Sequence, residues 1–209
     1  MKEFFDKELY NKETDLCRIM NDSGSDKGSG HHNYTTFYDF IFKEIRNKTK
    51  YVFELGLGTN NLQIPSNMSG LGTPCGSLRG WRKYFQNALI FGADIDRDIL
   101  IQEDKISTYY CNQLDTNSIE SLKKNFDFLF DVVIEDGLHT YEANINFFEN
   151  FIYKVKDGGY FIIEDIDKKY FDSFEKYIKN ISEKYELVEL IKIPNPTNLG
   201  DNNLLLVKK

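Results

Sequence analysis

The chain has 209 residues and a formal net charge of −7, from 26 Lys and Arg against 33 Asp and Glu. That balance argues against nucleic acid as a general partner, because phosphate binding needs a basic face. No apolar run approaches the ~18 residues of a membrane span. The charged opening MKEFFDKELYNKETD has no signal-peptide core, and Cys17, Cys75 and Cys111 lack paired spacing, so free thiols in a reducing, cytoplasmic setting are expected. The length suits a single domain over 1–209. Residues 1–50 would supply N-terminal helices and a lid segment, and 51–209 the core.

Residues 3–20 read as an amphipathic helix with Phe4, Phe5, Leu9, Leu16 and Ile19 on its apolar side. NDSGSDKGSGHHNY (21–34) breaks it with turn residues and holds His31 and His32; it reads either as a linker or as a lid over a site. Thr35 or Thr36 is a candidate cap for the next helix. YVFEL (51–55) is an apolar run ending at Gly56 and Gly58, as in a parallel strand buried on both faces. The loop 59–76 is long and holds Pro and Gly, which marks it as functional or irregular. A helix with Ser77 as its cap follows.

Further strands are expected over 88–96, 107–115, 130–137 and 160–166, with helices after each of the last three and DGG (157–159) closing the helix of 140–154. The tail reads as two antiparallel strands joined by NPTNLGDN. Alternating strands and helices predict a three-layer, Rossmann-like α/β fold. Its seven-stranded sheet is mainly parallel, with a C-terminal antiparallel hairpin.

The candidate site lies at the strand ends. Glu54, Asp94, the pair Glu135–Asp136 and the pair Glu164–Asp165 all fall there. One such acid is ordinary solvation or a helix cap. Several on one edge raise pKa values or recruit a cation. If the strands carrying the two pairs are neighbours they lie about 5 Å apart, close enough to share a hard divalent ion. His139, three residues past Asp136, is placed to act as a general base. A dinucleotide fingerprint is absent, because Asn61 stands where its third glycine belongs, and there is no P-loop. A ligand with a ribose and a positive centre, such as S-adenosyl-L-methionine (SAM), fits Asp94 and the acidic edge better. The reading requires Asp136 and Asp165 within reach of one ion, and an open rim beside Gly56.

The ordered set SDKG and HNY (25–34), ELGLGTNN (54–61), GSLRGW (76–81), GADID (92–96), NQLD (112–115), EDGLHTYEAN (135–144), GGYFIIEDI (158–166) and DNNLLLV (201–207) resembles the class I SAM-dependent methyltransferases. The likeness is to metal-dependent sugar O-methyltransferases of the mycinamicin and macrocin type and to enzymes of bacterial capsular polysaccharide clusters. It runs over nearly the whole chain. The resemblance implies SAM as donor and S-adenosylhomocysteine (SAH) as product. Glu54, Gly56, Gly58 and Asn60 would lie at the methionine part, Asp94 at the ribose, and Asn112 and Gln113 near the adenine. It implies Mg²⁺ or a similar ion on Asp136, Glu164 and Asp165, with His139 as base beside Asp136. Relatives often have Asp at the position of Asn112. The macrolide members carry an extra N-terminal domain, so their acceptor and their assembly are not assumed, and a homo-oligomer stays open.

The expected reaction is methyl transfer from SAM to an oxygen of a small-molecule or carbohydrate-precursor acceptor. Within the same resemblance the acceptor is either a sugar hydroxyl or the already anionic oxygen of a capsular phosphoramidate. Two other classes stay open. A metal-dependent hydrolase would use the acids and His139 on water but leaves Gly56, Gly58 and Asp94 without a task. A non-catalytic SAM-binding module would need no metal carboxylates.

Overall fold

A computed structural model describes residues 2–3, 13–70, 72–194 and 200–209, the first two by backbone alone. Among these residues nine strands form one sheet. They are β1 (Lys2–Glu3), β2 (Tyr51–Leu55), β3 (Leu89–Asp94), β4 (Gln102–Glu103), β5 (Ile106–Tyr110), β6 (Phe130–Glu135), β7 (Val155–Ile163), β8 (Leu187–Lys192) and β9 (Asn203–Lys208). Their order is β1-β8-β9-β7-β6-β2-β3-β5-β4. The seven longer strands are the expected sheet. β1 and β4 add two residues at either edge. β9 runs antiparallel to both β7 and β8, as the terminal hairpin required. β5, β3, β2, β6 and β7 are mutually parallel.

Among the described residues six α-helices cover the two faces: α1 (Asp15–Asp22), α2 (Tyr34–Phe42), α3 (Gly76–Tyr84), α4 (Thr116–Lys123), α5 (Tyr141–Phe151) and α6 (Phe171–Ile181). Side chains alternate across a strand, and the sheet fills both layers accordingly. Val52, Ile90, Val132, Ile134 and Ile162 face Leu16, Met20, Phe37, Tyr38, Leu78 and Trp81 of α1, α2 and α3. Phe53, Phe91, Val133 and Phe161 face Ile119, Phe147, Phe148, Phe151 and Phe174 of α4, α5 and α6. Fully burying each aromatic or aliphatic side chain stabilises by roughly 1.5–3 kcal/mol, which makes these two cores the main holding force. Among the described residues no helix is long and apolar enough to cross a membrane.

Four local expectations are corrected. Among the described residues the first helix begins at Asp15, and residue 3 belongs to β1; residues 4–12, with Phe4, Phe5 and Leu9, lie outside the described residues. Neither Thr35 nor Thr36 caps α2: both are buried inside it, and the chain enters through left-handed Asn33, φ 58°. α3 is entered the same way through Cys75, φ 61°, which leaves Ser77 free for another partner. The DGG run does not end a helix. Asp157 to Gly159 lie within β7, whose pairing with β6 shifts register between Phe130 and Val132, with Gly158 at φ 74°.

Candidate active site

The sheet ladder continues past the strand ends and sets the rim. Leu55, Glu135 and Ile163 stand side by side in register on β2, β6 and β7. Beyond them the Asp136 N–H donates to Leu55 O at 2.8 Å and the Glu164 N–H donates to Glu135 O at 2.9 Å. Gly56 turns away at φ 85° and its N–H donates to Ala93 O at 2.9 Å. A Cβ on Gly56 would stand 1.8 Å from the Asp136 carbonyl oxygen, so this close crossing of two loops requires glycine.

The two-residue alternation sorts the acids. Glu54, Asp136 and Glu164 point toward α2 and α3. Glu135 points to the opposite layer. There its carboxylate accepts from Gln113 Nε2 at 2.9 Å, from the Gly137 N–H at 3.1 Å and from Asn144 Nδ2. Glu135, read from sequence as a rim acid, is therefore an inner tie. Asp165 rejoins the rim through a left-handed backbone, φ 52°.

A cavity of about 380 Å³ opens at this edge. Glu54, Gly56, Gly58, Asp94, Asn112, Gln113, Asp136, His139 and Asp165 all line it, and Ile64, Pro65 and Met68 of the 59–76 loop lie against it. Asn60 is not among the lining residues: its Nδ2 donates to Gly72 O at 3.1 Å. Several lining groups are already engaged. Asp94 accepts the N–H groups of Leu57 at 2.7 Å and Asp96 at 2.8 Å. The Gln113 amide joins Glu135 to the Leu138 N–H, which donates to it at 2.8 Å. Glu54 accepts from Ser77 Oγ at 2.6 Å and from Trp81 Nε1. This is the task that the displaced helix start gives Ser77.

Asp136, His139 and Asp165 each place one ligand atom within 4.8 Å of the others. His139 Nε2 lies 3.9 Å from Asp136 Oδ1 and 3.9 Å from Asp165 Oδ2. Its Nδ1 is buried without a partner among the described residues, and its backbone is left-handed at φ 57°. Asp136 and Asp165 thus lie within reach of one ion, and the rim beside Gly56 is open to the cavity. Glu164 stands apart from this set. It is 1% exposed, accepts from Tyr38 Oη, and is paired with a group that sequence reasoning missed, Lys27.

Lys27 is 2% exposed. Its Nζ donates to Asp136 Oδ2 at 2.5 Å and to Glu164 Oε2, and stands 3.7 Å from Glu54 Oε1. Burial alone would lower its pKa, but Asp136, Glu164 and Glu54 together hold it well above the ordinary lysine range, so it stays charged. Burial lifts Glu164 well above the carboxylate range, with Lys27 opposing and Asp136, Glu54 and Asp165 adding to the rise. One ammonium serves several carboxylates. Hard oxygen donors on Asp136 and Asp165, with an imidazole nitrogen facing them, together fit a divalent ion. In sequence, the signal for Lys27 was its place in SDKG.

The chain matches no family model. It is 30% identical over 155 residues to the 8-demethyl-8-alpha-L-rhamnosyl tetracenomycin-C 2'-O-methyltransferase of Streptomyces olivaceus, covering 73% of this chain and 38% of that protein. It is 34% identical over 143 residues to the demethylmacrocin O-methyltransferase of Streptomyces fradiae, covering 68% of this chain and 34% of that protein. The chain thus spans little more than a third of the length of these curated relatives. Among solved structures, the MycE methyltransferase from the mycinamycin biosynthetic pathway, in complex with Mg and SAH, matches with a TM-score of 0.73 at 23% identity, over 95% of this chain and 55% of that one.

Strand order and structural likeness define the fold of the class I methyltransferases. Within that class, the chain is related in sequence to the sugar O-methyltransferases of the tetracenomycin, macrocin and mycinamicin type.

Proposed function

We propose that the chain is a SAM-dependent, metal-assisted O-methyltransferase acting on a sugar or carbohydrate-precursor acceptor. One observation carries the reading: the glycine turn after β2 and the donor set Asp136, His139 and Asp165 line the same cavity. The relatives are named as O-methyltransferases of sugar-bearing small molecules, and the MycE structure holds Mg and SAH; both support the reading.

The chain's own residues divide the work. Gly56 and Gly58 let the donor approach the backbone, and Asp94 keeps acceptor capacity for ribose hydroxyls. Asn112 and Gln113 line the wall assigned to the adenine. Asp136 and Asp165 would hold the ion, with Glu164 beside them. A bound ion supplies Lewis acidity, which lowers the pKa of an acceptor hydroxyl. His139 faces the same point and would take the acceptor's proton. Most of the protein's contribution is alignment of donor and acceptor, worth several kcal/mol of barrier.

The test is transfer of labelled methyl from SAM to sugar and polysaccharide precursors by the full chain, with and without chelator. Label should appear in an acceptor, vanish with chelator and return with Mg²⁺. SAH binding with no transfer to any acceptor would leave a binding module, and hydrolysis without SAM a hydrolase. His139→Ala should lose ~10²–10⁴ in rate for a hydroxyl acceptor. A near-normal His139→Ala beside a dead Asp136→Ala would instead favour an anionic acceptor such as a capsular phosphoramidate.

A further inference from the structure

SDKG (25–28) is part of the resemblance, yet the proposed reaction gives its lysine no task. Lys27 lies in the turns between α1 and α2, more than a hundred positions before the two acids it hydrogen-bonds, Asp136 and Glu164. An ammonium this deeply buried needs strong counter-charge, and it has three carboxylates. Asp136 is the group shared between two cation positions. Its Oδ2 receives Lys27 at 2.5 Å, while its Oδ1 faces His139 Nε2 at 3.9 Å, within the set that includes Asp165. Glu164, the acid left outside that set, is held by the same ammonium and by Tyr38.

We propose that Lys27 is a positioning residue that holds Asp136 and Glu164 in place, and that its ammonium and a divalent ion compete for this pair of carboxylates. The inference rests on the metal-assisted reading above. Two cations on one pair of acids repel each other and divide its charge. An ion that draws in Glu164 must take it from Lys27, which then changes partners. The segment that carries Lys27 also carries Tyr34, whose hydroxyl donates to Asp165. Ion loading and the seating of residues 24–34 are therefore linked through the same acids.

The experiment uses the full chain with Mn²⁺ as probe and SAH present, followed by calorimetry and thermal unfolding. Lys27→Met should bind Mn²⁺ about tenfold tighter or more, the scale on which neighbouring groups tune metal sites. Its Tm, lower than wild type without ion, should rise more on adding Mn²⁺. A lysine with a merely structural role would lower Tm and leave Mn²⁺ affinity unchanged, and that result, or weaker binding, overturns the proposal. Should Lys27→Met not fold, amine acetylation of the wild type decides. Labelling at Lys27 must rise on Mn²⁺ saturation, and unchanged labelling overturns the competition. A wild-type chain that binds no Mn²⁺ removes the metal-assisted reading as well. Mn²⁺ binding by wild type with no effect of Lys27→Met removes this inference alone.

Discussion

The hydroxyl of Tyr34 donates to Asp165 Oδ1 at 2.5 Å and accepts, at 3.1 Å, the backbone N–H of the same residue. This double tie holds Asp165 in a left-handed conformation that costs a non-glycine residue about 1–2 kcal/mol, and aims its carboxylate at the rim. Tyr34→Phe removes both bonds. It should destabilise the fold by roughly 1–3 kcal/mol and weaken Mn²⁺ binding by about 10–100-fold, measured by thermal unfolding and calorimetry. Unchanged Mn²⁺ affinity would show that Asp165 does not need this tie to serve as a ligand.

Gly56→Ala tests the crossing of the two rim loops. The added methyl meets the Asp136 carbonyl at 1.8 Å at a positive φ, and neither backbone can yield cheaply. The expected outcome is a loss of SAH binding by calorimetry with a stability cost on the order of 1–3 kcal/mol. Wild-type SAH affinity in this variant would place the donor elsewhere.

The buried acids give the ion-free protein an unusual pH dependence. Burial raises the pKa of Glu54, Asp94, Glu135, Glu164 and Asp165, with Lys27 opposing at Glu54 and Glu164 and His139 at Asp165. A raised folded pKa means that the folded state binds more protons than the unfolded chain. Stability from these groups is then full below the unfolded carboxylate range near ~4 and is lost as pH rises through the raised values. Tm without ion should therefore fall between mildly acidic and neutral pH, and saturating Mg²⁺ should reduce that fall. A Tm that climbs over the same window would contradict the assigned burial.

Cys75 and Cys111 should be inert. Burial pushes Cys75 and Cys111 up to about 12, opposed by Arg79 at Cys75 and by Ser118 at Cys111. At pH 8 the thiolate fraction is then about 10⁻⁴, against roughly a quarter for a free thiol. Iodoacetamide should label both in the native chain on the order of 10³-fold more slowly than in urea, read by mass spectrometry. Rapid native labelling of Cys111 would mean that the wall beside Asn112 opens.

Much of this architecture is readable from the residues. Apolar runs ending in Gly or Asp give the central strands, because a strand buried on both faces leaves little latitude in composition. Boundaries were harder. Asn33 and Cys75 enter their helices through left-handed backbones that no propensity for Thr or Ser anticipates. A two-residue strand such as Gln102–Glu103 carries no period to detect. At the site, the nearness of Asp136 to Asp165 followed from adjacent strand ends. The division of labour between Glu135 and Asp136 did not, since it depends on which face each side chain takes. Lys27 was missed because the two acids it hydrogen-bonds, Asp136 and Glu164, are more than a hundred positions away, beyond any local pattern.

The opposite facing of Glu135 and Asp136 makes the chemistry a matter of parity. Deleting one residue from β6 would leave a run of the same apolar character, yet exchange an acid engaged by Asn144 for the one that meets Lys27. Substitution can change much of this strand's composition, but a change of its count by one cannot leave Asp136 on Lys27.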